Sequence, residues 1–345
     1  MPSNLPRPAY DPEIEPFLSM VPLPPTINAD IMRELRKAPL LSQAPDLDAL
    51  LSGKPITHRE VSIPGLNSSD PQITLSIFSS TLTSGPKPCI YFVHGGGMII
   101  GCRFVGIEDY LQYVEQNDAV VVAVEYRLAP ENPDPAPVND CYAGLLWTAA
   151  NAAELGIDLE RLLICGASAG GGLSAGVALM ARDKKGPKLV GQLLCYPMLD
   201  DRNDSLSSQQ YVDEGVWSRG SNAFGWKQLL GDRAGKEGVS IYAAPARATD
   251  LSGLPNTFID VGSAEVFRDE DIAYASRLWA VGVQAELHVW PGGYHAAENM
   301  APGTDYSNKV KAARLAWMKR VFMKAPKSTT ESLPAPTVDE AVGTI

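Results

Sequence analysis

A serine set between glycines near the middle of the chain has the residue types and spacing of an acyl-transfer nucleophile. The segment GASAG at positions 166–170 is centred on Ser168 and follows the apolar run Leu162–Cys165. An apolar strand, a tight turn and a small-residue helix together form a nucleophile elbow, in which a strained turn lifts the hydroxyl away from the backbone. The positive end of the following helix favours negative charge that develops there. A glycine-rich turn without chemistry is the alternative, and this context favours the nucleophile.

A second motif, HGGG at positions 94–97, comes directly after the apolar run Cys89–Val93. Consecutive glycines allow backbone N–H groups to turn inward and approach a ligand closely. In an acyl-transfer enzyme these groups bind the oxyanion of the tetrahedral intermediate, together with the N–H of Ala169. A phosphate loop and a plain turn are the alternatives, but a phosphate loop usually brings a basic residue, and none follows immediately. We expect His94 to orient the loop.

The chain has four histidines that are candidates for the general base of the serine: His58, His94, His288 and His295. His58 precedes the predicted sheet, and His288 falls inside a predicted strand, where a structural role is more common. His295 follows the last apolar strand in the segment PGGYH, on a loop at the edge of the sheet where a base must lie. His295 is therefore the predicted base.

An acid that orients the histidine should follow the penultimate strand, because the order in this kind of site is serine, acid, histidine. Several acids compete there, and Glu265 is our choice. Asp260 falls within the strand run, whereas Asp269 and Glu270 open a predicted helix, where acids are explained by the helix dipole. Glu265 lies 30 positions before His295, which leaves room for one helix and one strand.

Short apolar runs alternate with amphipathic segments of helical length, and two strand-like segments precede them. Continuous apolar runs suit strands covered on both faces, and the alternation predicts an α/β fold with a mostly parallel sheet flanked by helices. The predicted strands are Glu60–Pro64, Ile73–Ser80, Cys89–Val93, Ala119–Val124, Leu162–Cys165, Leu189–Cys195, Thr257–Val261 and Ala285–Val289. The predicted helices are Ala29–Lys37, Ile107–Gln116, Val138–Ala153, Ala169–Arg182, Asp269–Ala280 and Ser307–Met323.

The domain organisation follows from where this alternation starts and stops. Residues 1–55 are predicted to form an N-terminal helical arm, and residues 56–324 a single catalytic domain. The alternation breaks at 196–244, where aromatic residues stand among polar ones, so this stretch and the arm are predicted to form a cap. Residues 325–345 are polar and proline-containing, which predicts a flexible tail.

Composition narrows the classes of partner and cofactor. A formal net charge of −11 repels phosphate backbones, so no nucleic acid is expected as a partner. Five cysteines, an odd count without a CxxC pair, argue against a disulfide framework and predict reduced thiols in a cytoplasmic protein. The chain has no Cys/His spacing typical of a metal site, so we predict no metal. No apolar stretch approaches about 18 residues, so we predict no stable membrane insertion. The sequence leaves open whether the protein forms a homodimer.

The chain resembles the hormone-sensitive-lipase-like branch (family IV) of the α/β-hydrolase esterases. The resemblance spans roughly Ile73 to His295 and implies the α/β-hydrolase fold with a helical cap. It also implies short- to medium-chain acyl esters as substrates. Its motifs are HGGGMIIG at 94–101, EYRLAPE at 125–131, GASAGGGL at 166–173, YPMLDDR at 196–202 and WPGGYH at 290–295.

The resemblance also assigns roles to individual residues. It implies that the oxyanion-hole donors are the N–H groups of Gly96, Gly97 and Ala169. The chain departs from the family pattern at Glu265, where aspartate is usual, and at Ala297, where phenylalanine is frequent and alanine would open the pocket.

These observations predict a carboxylic-ester hydrolase that uses Ser168, His295 and Glu265 as a catalytic triad, without a metal or an organic cofactor. The expected partner is a small-molecule ester substrate. The alternatives are a lactonase, amidase or acyltransferase with the same triad, or a non-catalytic small-molecule binding protein on this scaffold. Further substrate contacts are expected from Met98, Tyr196, Trp217 and Phe224.

Overall fold

The computed structural model describes residues 5–20, 24 and 26–323 of the chain. The predicted flexible tail, 325–345, lies outside the described residues, as do residues 1–4 of the predicted arm. Within the described part, the chain forms a central sheet with helices on both faces, so the α/β-hydrolase fold is confirmed.

Eight strands of the described residues form one sheet in the order β1-β2-β4-β3-β5-β6-β7-β8. β2 pairs antiparallel with β1 and with β4, whereas all the other neighbours are parallel. The carboxyl ends of the parallel strands therefore meet at one edge. The strands are β1 Ile56–Ile63, β2 Ile73–Ser80, β3 Lys87–Val93, β4 Val120–Glu125, β5 Ile157–Ala167, β6 Gly191–Cys195, β7 Asn256–Gly262 and β8 Ala285–Trp290.

The central strands are buried along their whole length, which explains their continuous apolar sequence. Every residue of β3 and of β6 is buried, and so are the first five residues of β4. Strand β5 begins at Ile157, five residues before the predicted strand, because its first residues extend past the apolar run. The apolar run alone thus marks the buried part of a strand rather than its ends.

Helices cover both faces of the sheet. Further helices lie in the described part of residues 1–55, which precedes the alternation of strands and helices, and in residues 196–244, which interrupts it. α8 packs on β3, β5 and β6, and α11 packs on β7 and β8. The helices are α1 Glu15–Leu18, α2 Ala29–Leu35, α3 Pro39–Ser42, α4 Leu47–Leu51, α5 Ile107–Asn117, α6 Ala136–Ala150, α7 Ala152–Leu155, α8 Ala169–Asp183, α9 Leu206–Gln210, α10 Arg219–Leu230, α11 Arg268–Ala280, α12 Ala297–Met300 and α13 Asp305–Phe322.

The N-terminal segment crosses the loops at the carboxyl edge of the sheet. The N–H of Asp11 donates to the carbonyl of Gly292 at 3.0 Å, and the hydroxyl of Tyr294 donates to the carbonyl of Ile14 at 3.2 Å. Ile14 is fully buried and packs with Tyr294 and Ala297. This segment is therefore bonded directly to the loop that carries the predicted base.

The same segment also contacts the stretch 196–244, which contains α9 and α10. The hydroxyl of Tyr211 donates to the carbonyl of Pro8 at 3.1 Å, and the N–H of Ile27 donates to the hydroxyl of Ser221 at 2.9 Å. These contacts join the two segments for which a cap is predicted. The cap and the domain boundaries themselves stay predictions.

Candidate active site

Ser168 lies at the sharp turn between β5 and α8. Its backbone adopts φ 57° and ψ −123°, a conformation that costs a non-glycine residue of the order of 1–3 kcal/mol. Neighbouring glycines make the turn sterically feasible, because a Cβ at Gly170 would lie 2.1 Å from the carbonyl oxygen of Val93. The N–H of Ser168 donates to the carbonyl of Cys195 at 2.8 Å, which anchors the turn to β6.

His295 joins the serine hydroxyl to an acid. Its Nε2 is 3.0 Å from the Ser168 Oγ, and its Nδ1 is 2.6 Å from the Glu265 Oε2. All three side chains are buried, with exposed fractions of 7% for Ser168, 6% for His295 and 2% for Glu265. With a proton on Nδ1 donated to the carboxylate, Nε2 is free to accept the proton of the serine.

Glu265 is held in the turn between β7 and α11. Its second oxygen, Oε1, accepts the N–H of Gly262 at 3.0 Å, so both carboxylate oxygens have a donor. Burial raises the pKa of Glu265, and the neighbouring His295 offsets that rise only in part. Glu265 lies in a nearly dry site, where the attraction between its carboxylate and an imidazolium is strong.

The competing acids of this region have other partners. Asp260 accepts two hydrogen bonds from Arg314, at 2.8 and 3.0 Å. Asp269 accepts the N–H of Ser207 at 2.7 Å. The carboxylate of Glu270 caps two backbone N–H groups of the loop after β6. Among the described acids of this stretch, Glu265 is the one hydrogen-bonded to His295.

The imidazole of His295 is packed between two aromatic rings. The Tyr196 and His295 ring centroids are 4.8 Å apart at an interplanar angle of 71°, and those of Phe267 and His295 are 5.3 Å apart at 73°. Both rings meet the imidazole edge to face, so they limit its rotation. The predicted contact residue Tyr196 is therefore a neighbour of the predicted base.

The HGGG loop lies against the turn that carries Ser168. A Cβ on Gly95 would lie 2.9 Å from the carbonyl oxygen of Ala167 and 3.5 Å from the Cβ of Ser168. Gly96 and Gly97 have φ values of 115° and 61°, and a Cβ at Gly96 would lie 2.0 Å from a backbone oxygen. The loop thus requires glycine, and its backbone is next to the serine.

His94 fixes the start of this loop. Its Nδ1 is 2.8 Å from the carbonyl oxygen of Gly95, and its ring stacks on Tyr126 at 4.1 Å between centroids. The Tyr126 hydroxyl donates to the His94 carbonyl at 2.9 Å. Complete burial lowers the pKa of His94 to about 4, so the imidazole is neutral at physiological pH. These contacts fit a loop-orienting role.

The remaining predicted substrate contacts are distributed around the same loop. The indole of Trp217 packs on Gly97, because a Cβ at Gly97 would lie 2.3 Å from the Trp217 Cη2. Met98, with φ 62°, is buried, and its carbonyl accepts the N–H of Ala129. Phe224 is half-buried on α10 and packs on the core rather than being fully exposed.

Sequence reasoning missed a group of buried charges behind His295. Glu298, Arg314 and Asp260 are nearly or fully buried, and Arg314 donates hydrogen bonds to both acids. Glu298 is three residues after His295, which is a detectable signal, since buried acids near a base are unusual. No sequence pattern pairs Arg314 with the other two, because the pairing depends on how α13 packs against β7.

Neither a metal centre nor a membrane-spanning helix is present in the described part of the chain. No group of three or more His, Cys, Asp or Glu side chains there could hold a metal ion. No helix of residues 5–20, 24 and 26–323 is both long and apolar enough to cross a membrane.

Comparison with known proteins identifies the family. A family model of the alpha/beta hydrolase fold matches residues 90–299. The carboxylesterase NlhH of Mycobacterium tuberculosis is 34% identical over 90% of this chain and 97% of its own length. An arylesterase of Saccharolobus solfataricus is 32% identical over 66% of this chain and 73% of its own length.

A solved structure agrees with these relatives. The structure of a bacterial heroin esterase, 37% identical in sequence, superimposes with a TM-score of 0.82 and covers 91% of this chain and 98% of its own. The resemblance indicated by the sequence motifs is therefore confirmed. The chain belongs to the α/β hydrolase fold family and is a serine ester hydrolase.

Proposed function

We propose that this protein hydrolyses small carboxylic esters by two-step acyl transfer, with Ser168 as nucleophile, His295 as general base and acid, and Glu265 as the residue that orients the histidine. The observation that carries this proposal is the continuous hydrogen-bonded series from Ser168 Oγ through both nitrogens of His295 to Glu265. A nucleophile next to a base, with the base oriented by a third group, is the arrangement that activates a hydroxyl.

In the first step the Ser168 oxygen attacks the ester carbonyl while His295 Nε2 takes the hydroxyl proton. The carbonyl oxygen becomes an oxyanion, which the N–H groups of Gly96, Gly97 and Ala169 stabilise. The closeness of the glycine loop to the Ser168 turn supports this assignment. Donors of this kind act in a buried site, where each is worth about 10²–10³-fold in kcat.

Collapse of the tetrahedral intermediate releases the alcohol. His295 returns its proton to the leaving alkoxide, and the acyl group stays on Ser168. Water then attacks the acyl-enzyme and gives a proton to His295; as the bond between the acyl group and Ser168 breaks, His295 returns that proton to the Ser168 oxygen and the acid is released. Glu265 stabilises the imidazolium that forms in each step and keeps the proton on Nδ1.

The proposed substrate class rests on the apolar side chains near the triad. Trp217 packs on Gly97, and Tyr196 packs on His295, so one aromatic ring lies at the glycine loop and another at the base. Met98 and Phe224 complete the proposed substrate contacts. Apolar surroundings favour short- to medium-chain acyl groups and small alcohols. The names of the relatives, which include carboxylesterase and arylesterase, support the same bond type.

The N-terminal segment and residues 196–244 form the proposed cap over this site. The contacts of Tyr211 and Ser221 with the N-terminal segment support this part of the proposal. The five cysteines are free and buried, which supports the expectation of reduced thiols in a cytoplasmic protein.

The proposal is tested by ester turnover together with active-site labelling. The purified full chain is assayed on p-nitrophenyl acetate, butyrate and octanoate, and a fluorophosphonate adduct is located by peptide mass spectrometry. Turnover with highest kcat/KM on the shorter esters and a single adduct on Ser168 is the expected result. Labelling of Ser168 without ester turnover would point to a lactone or an amide as the substrate. The absence of both labelling and turnover would indicate a binding protein.

A further inference from the structure

Four buried residues behind His295 form a closed cycle of hydrogen bonds. The Tyr196 hydroxyl donates to Glu298 Oε1 at 2.8 Å, and Arg314 Nη1 donates to the same oxygen at 2.7 Å. Arg314 also donates to both oxygens of Asp260, at 2.8 and 3.0 Å. The carbonyl of Asp260 accepts the N–H of Tyr196 at 2.6 Å, which closes the cycle. We call these four residues the buried cycle.

The buried cycle joins four separate parts of the fold. Asp260 is in β7, Tyr196 directly follows β6, Glu298 is in α12 and Arg314 is in α13. Their exposed fractions are 0% to 5%. Taking three charges out of water costs several kcal/mol per ion, and a hydrophobic replacement is often as stable. Stability alone is therefore a poor explanation for this arrangement. Its position next to His295 instead indicates a role in the active site.

Tyr196 connects the buried cycle to His295. Its ring packs edge to face on the imidazole, and its hydroxyl is held by Glu298. The Arg314 guanidinium carbon lies 5.6 Å from the centroid of the same ring, a cation–π contact that also stabilises the ring position. Since Glu298 is in the short helix that begins two residues after His295, one carboxylate fixes both the ring and the loop.

We propose, on the basis of the triad proposed above, that Glu298 is a positioning residue: through Tyr196 it holds His295 in line with Ser168, and its negative charge favours the imidazolium that forms during the reaction. The cycle contains two carboxylates, Asp260 and Glu298, and one guanidinium, Arg314. The charge of Glu265 adds to it.

The charge state of Glu298 supports this proposal. Burial alone would raise the pKa of Glu298, but Arg314 and the hydrogen bonds of the cycle outweigh burial and lower it. Burial raises the pKa of Asp260 despite the same guanidinium. Glu298 is therefore an anion at neutral pH. The ionisable groups around His295 are Glu265 after β7, Asp260 in β7, Glu298 in α12 and Arg314 in α13.

Two substitutions separate the positioning effect from the charge effect. Tyr196→Phe removes the hydroxyl that Glu298 holds but leaves every charge of the cycle in place. We expect kcat for p-nitrophenyl acetate to fall by about 10- to 100-fold with KM little changed, because a small displacement of a reacting group has effects of this size. The acidic limb of the pH profile of kcat/KM should stay where it is.

Glu298→Gln removes the negative charge but keeps an amide oxygen that can still accept from the Tyr196 hydroxyl and from Arg314. We expect a smaller fall in kcat than in Tyr196→Phe, together with a shift of the acidic limb to lower pH, because the imidazolium loses a nearby anion. A chain with both substitutions should combine the fall in kcat of Tyr196→Phe with the shifted limb of Glu298→Gln, since the two changes remove different effects. Circular dichroism checks that each variant is folded. If Glu298→Gln is unfolded, Tyr196→Phe alone tests the positioning role.

The matched control is Glu286→Gln, the same substitution at a partly exposed residue of β8 that pairs with Arg320 of the same helix α13. Its kcat and pH profile should equal those of the parent within about twofold. With Ser168 labelled and the parent active, a Tyr196→Phe variant with the parent's kcat would overturn the positioning role. An unshifted acidic limb in folded Glu298→Gln would overturn the charge effect. Absence of Ser168 labelling would instead contradict the triad.

Discussion

Replacing Glu265 with glutamine would change a single atom of the residue that orients His295. Both carboxylate oxygens accept a hydrogen bond in this structure, one from His295 and one from the backbone N–H of Gly262. Glutamine has one oxygen and one NH₂ group, so it can satisfy only one of these two donors. If its oxygen stays with Gly262, its NH₂ faces Nδ1 of the imidazole and requires that nitrogen to accept.

The consequence is a reversed tautomer of His295. With Nδ1 as acceptor, the proton is on Nε2, which then points a donor at the Ser168 hydroxyl and cannot take its proton. The corresponding loss in serine hydrolases is about 10⁴-fold in kcat. At about 1.4 kcal/mol per tenfold, this is a rise of about 5.5 kcal/mol in the activation free energy. Glu265→Asp keeps the two acceptors at shorter reach, so it should retain part of the activity.

The assay is kcat for p-nitrophenyl acetate, measured beside the melting temperature of each variant. The matched control is Glu270→Gln, five residues along, where the buried carboxylate accepts backbone N–H groups and has no bond to His295. We expect this control to keep the parent's kcat per folded molecule. The reasoning about Glu265 would be refuted if Glu265→Gln were fully active while Asp269→Asn lost turnover without unfolding.

Three further expectations concern the loop, a buried acid and the N-terminal segment. Gly97→Ala should lower kcat at least about 10²-fold by pushing the oxyanion loop off Trp217, and Trp217→Ala in the same chain should restore part of it; unchanged turnover in Gly97→Ala would contradict this. Asp271 is buried with neither carboxylate oxygen hydrogen-bonded among the described residues, and burial holds its pKa well above 3.8. The unfolded chain loses that proton first, so the contribution of Asp271 to the free energy of unfolding should fall by about 1.4 kcal/mol per pH unit from pH 3.8 until the pH reaches the raised pKa of the folded state; urea titrations at pH 5 and 8 should show a smaller fall for Asp271→Asn, and equal falls would contradict it. Removing residues 1–20 should lower kcat/KM for p-nitrophenyl acetate, because this segment bonds the loop that carries His295, and a soluble truncated protein with the parent's kcat/KM would exclude it from the site.

The sheet could be predicted from the sequence because its central strands are buried on both faces. A run such as 120–124 is apolar throughout since neither side of the strand meets water, and that signal needs no knowledge of tertiary contacts. Strand ends were less predictable, as β5 shows, because residues at a strand end need not be apolar. The short helix α12 was missed for a similar reason, since four residues show no periodicity.

The candidate site was predictable where local sequence constrains the backbone. The glycines around Ser168 and in the loop at 94–97 are needed at positions that a Cβ could not occupy, so they mark the turn and the loop. Glu265 was chosen by its place in a loop, and the structure brings it to His295. The link from Arg314 to Glu298 was not predictable, because it joins two helices whose packing is set by the whole domain.

The most direct test of the account is the turnover of p-nitrophenyl acetate by Ser168→Ala. The matched control is Ser174→Ala, which removes another buried hydroxyl six residues further along, in helix α8. We predict that Ser168→Ala loses at least ~10³-fold in kcat while it keeps the parent's circular dichroism spectrum, and that Ser174→Ala keeps the parent's turnover. A folded Ser168→Ala protein that hydrolyses the ester at the parent's rate would contradict the central claim.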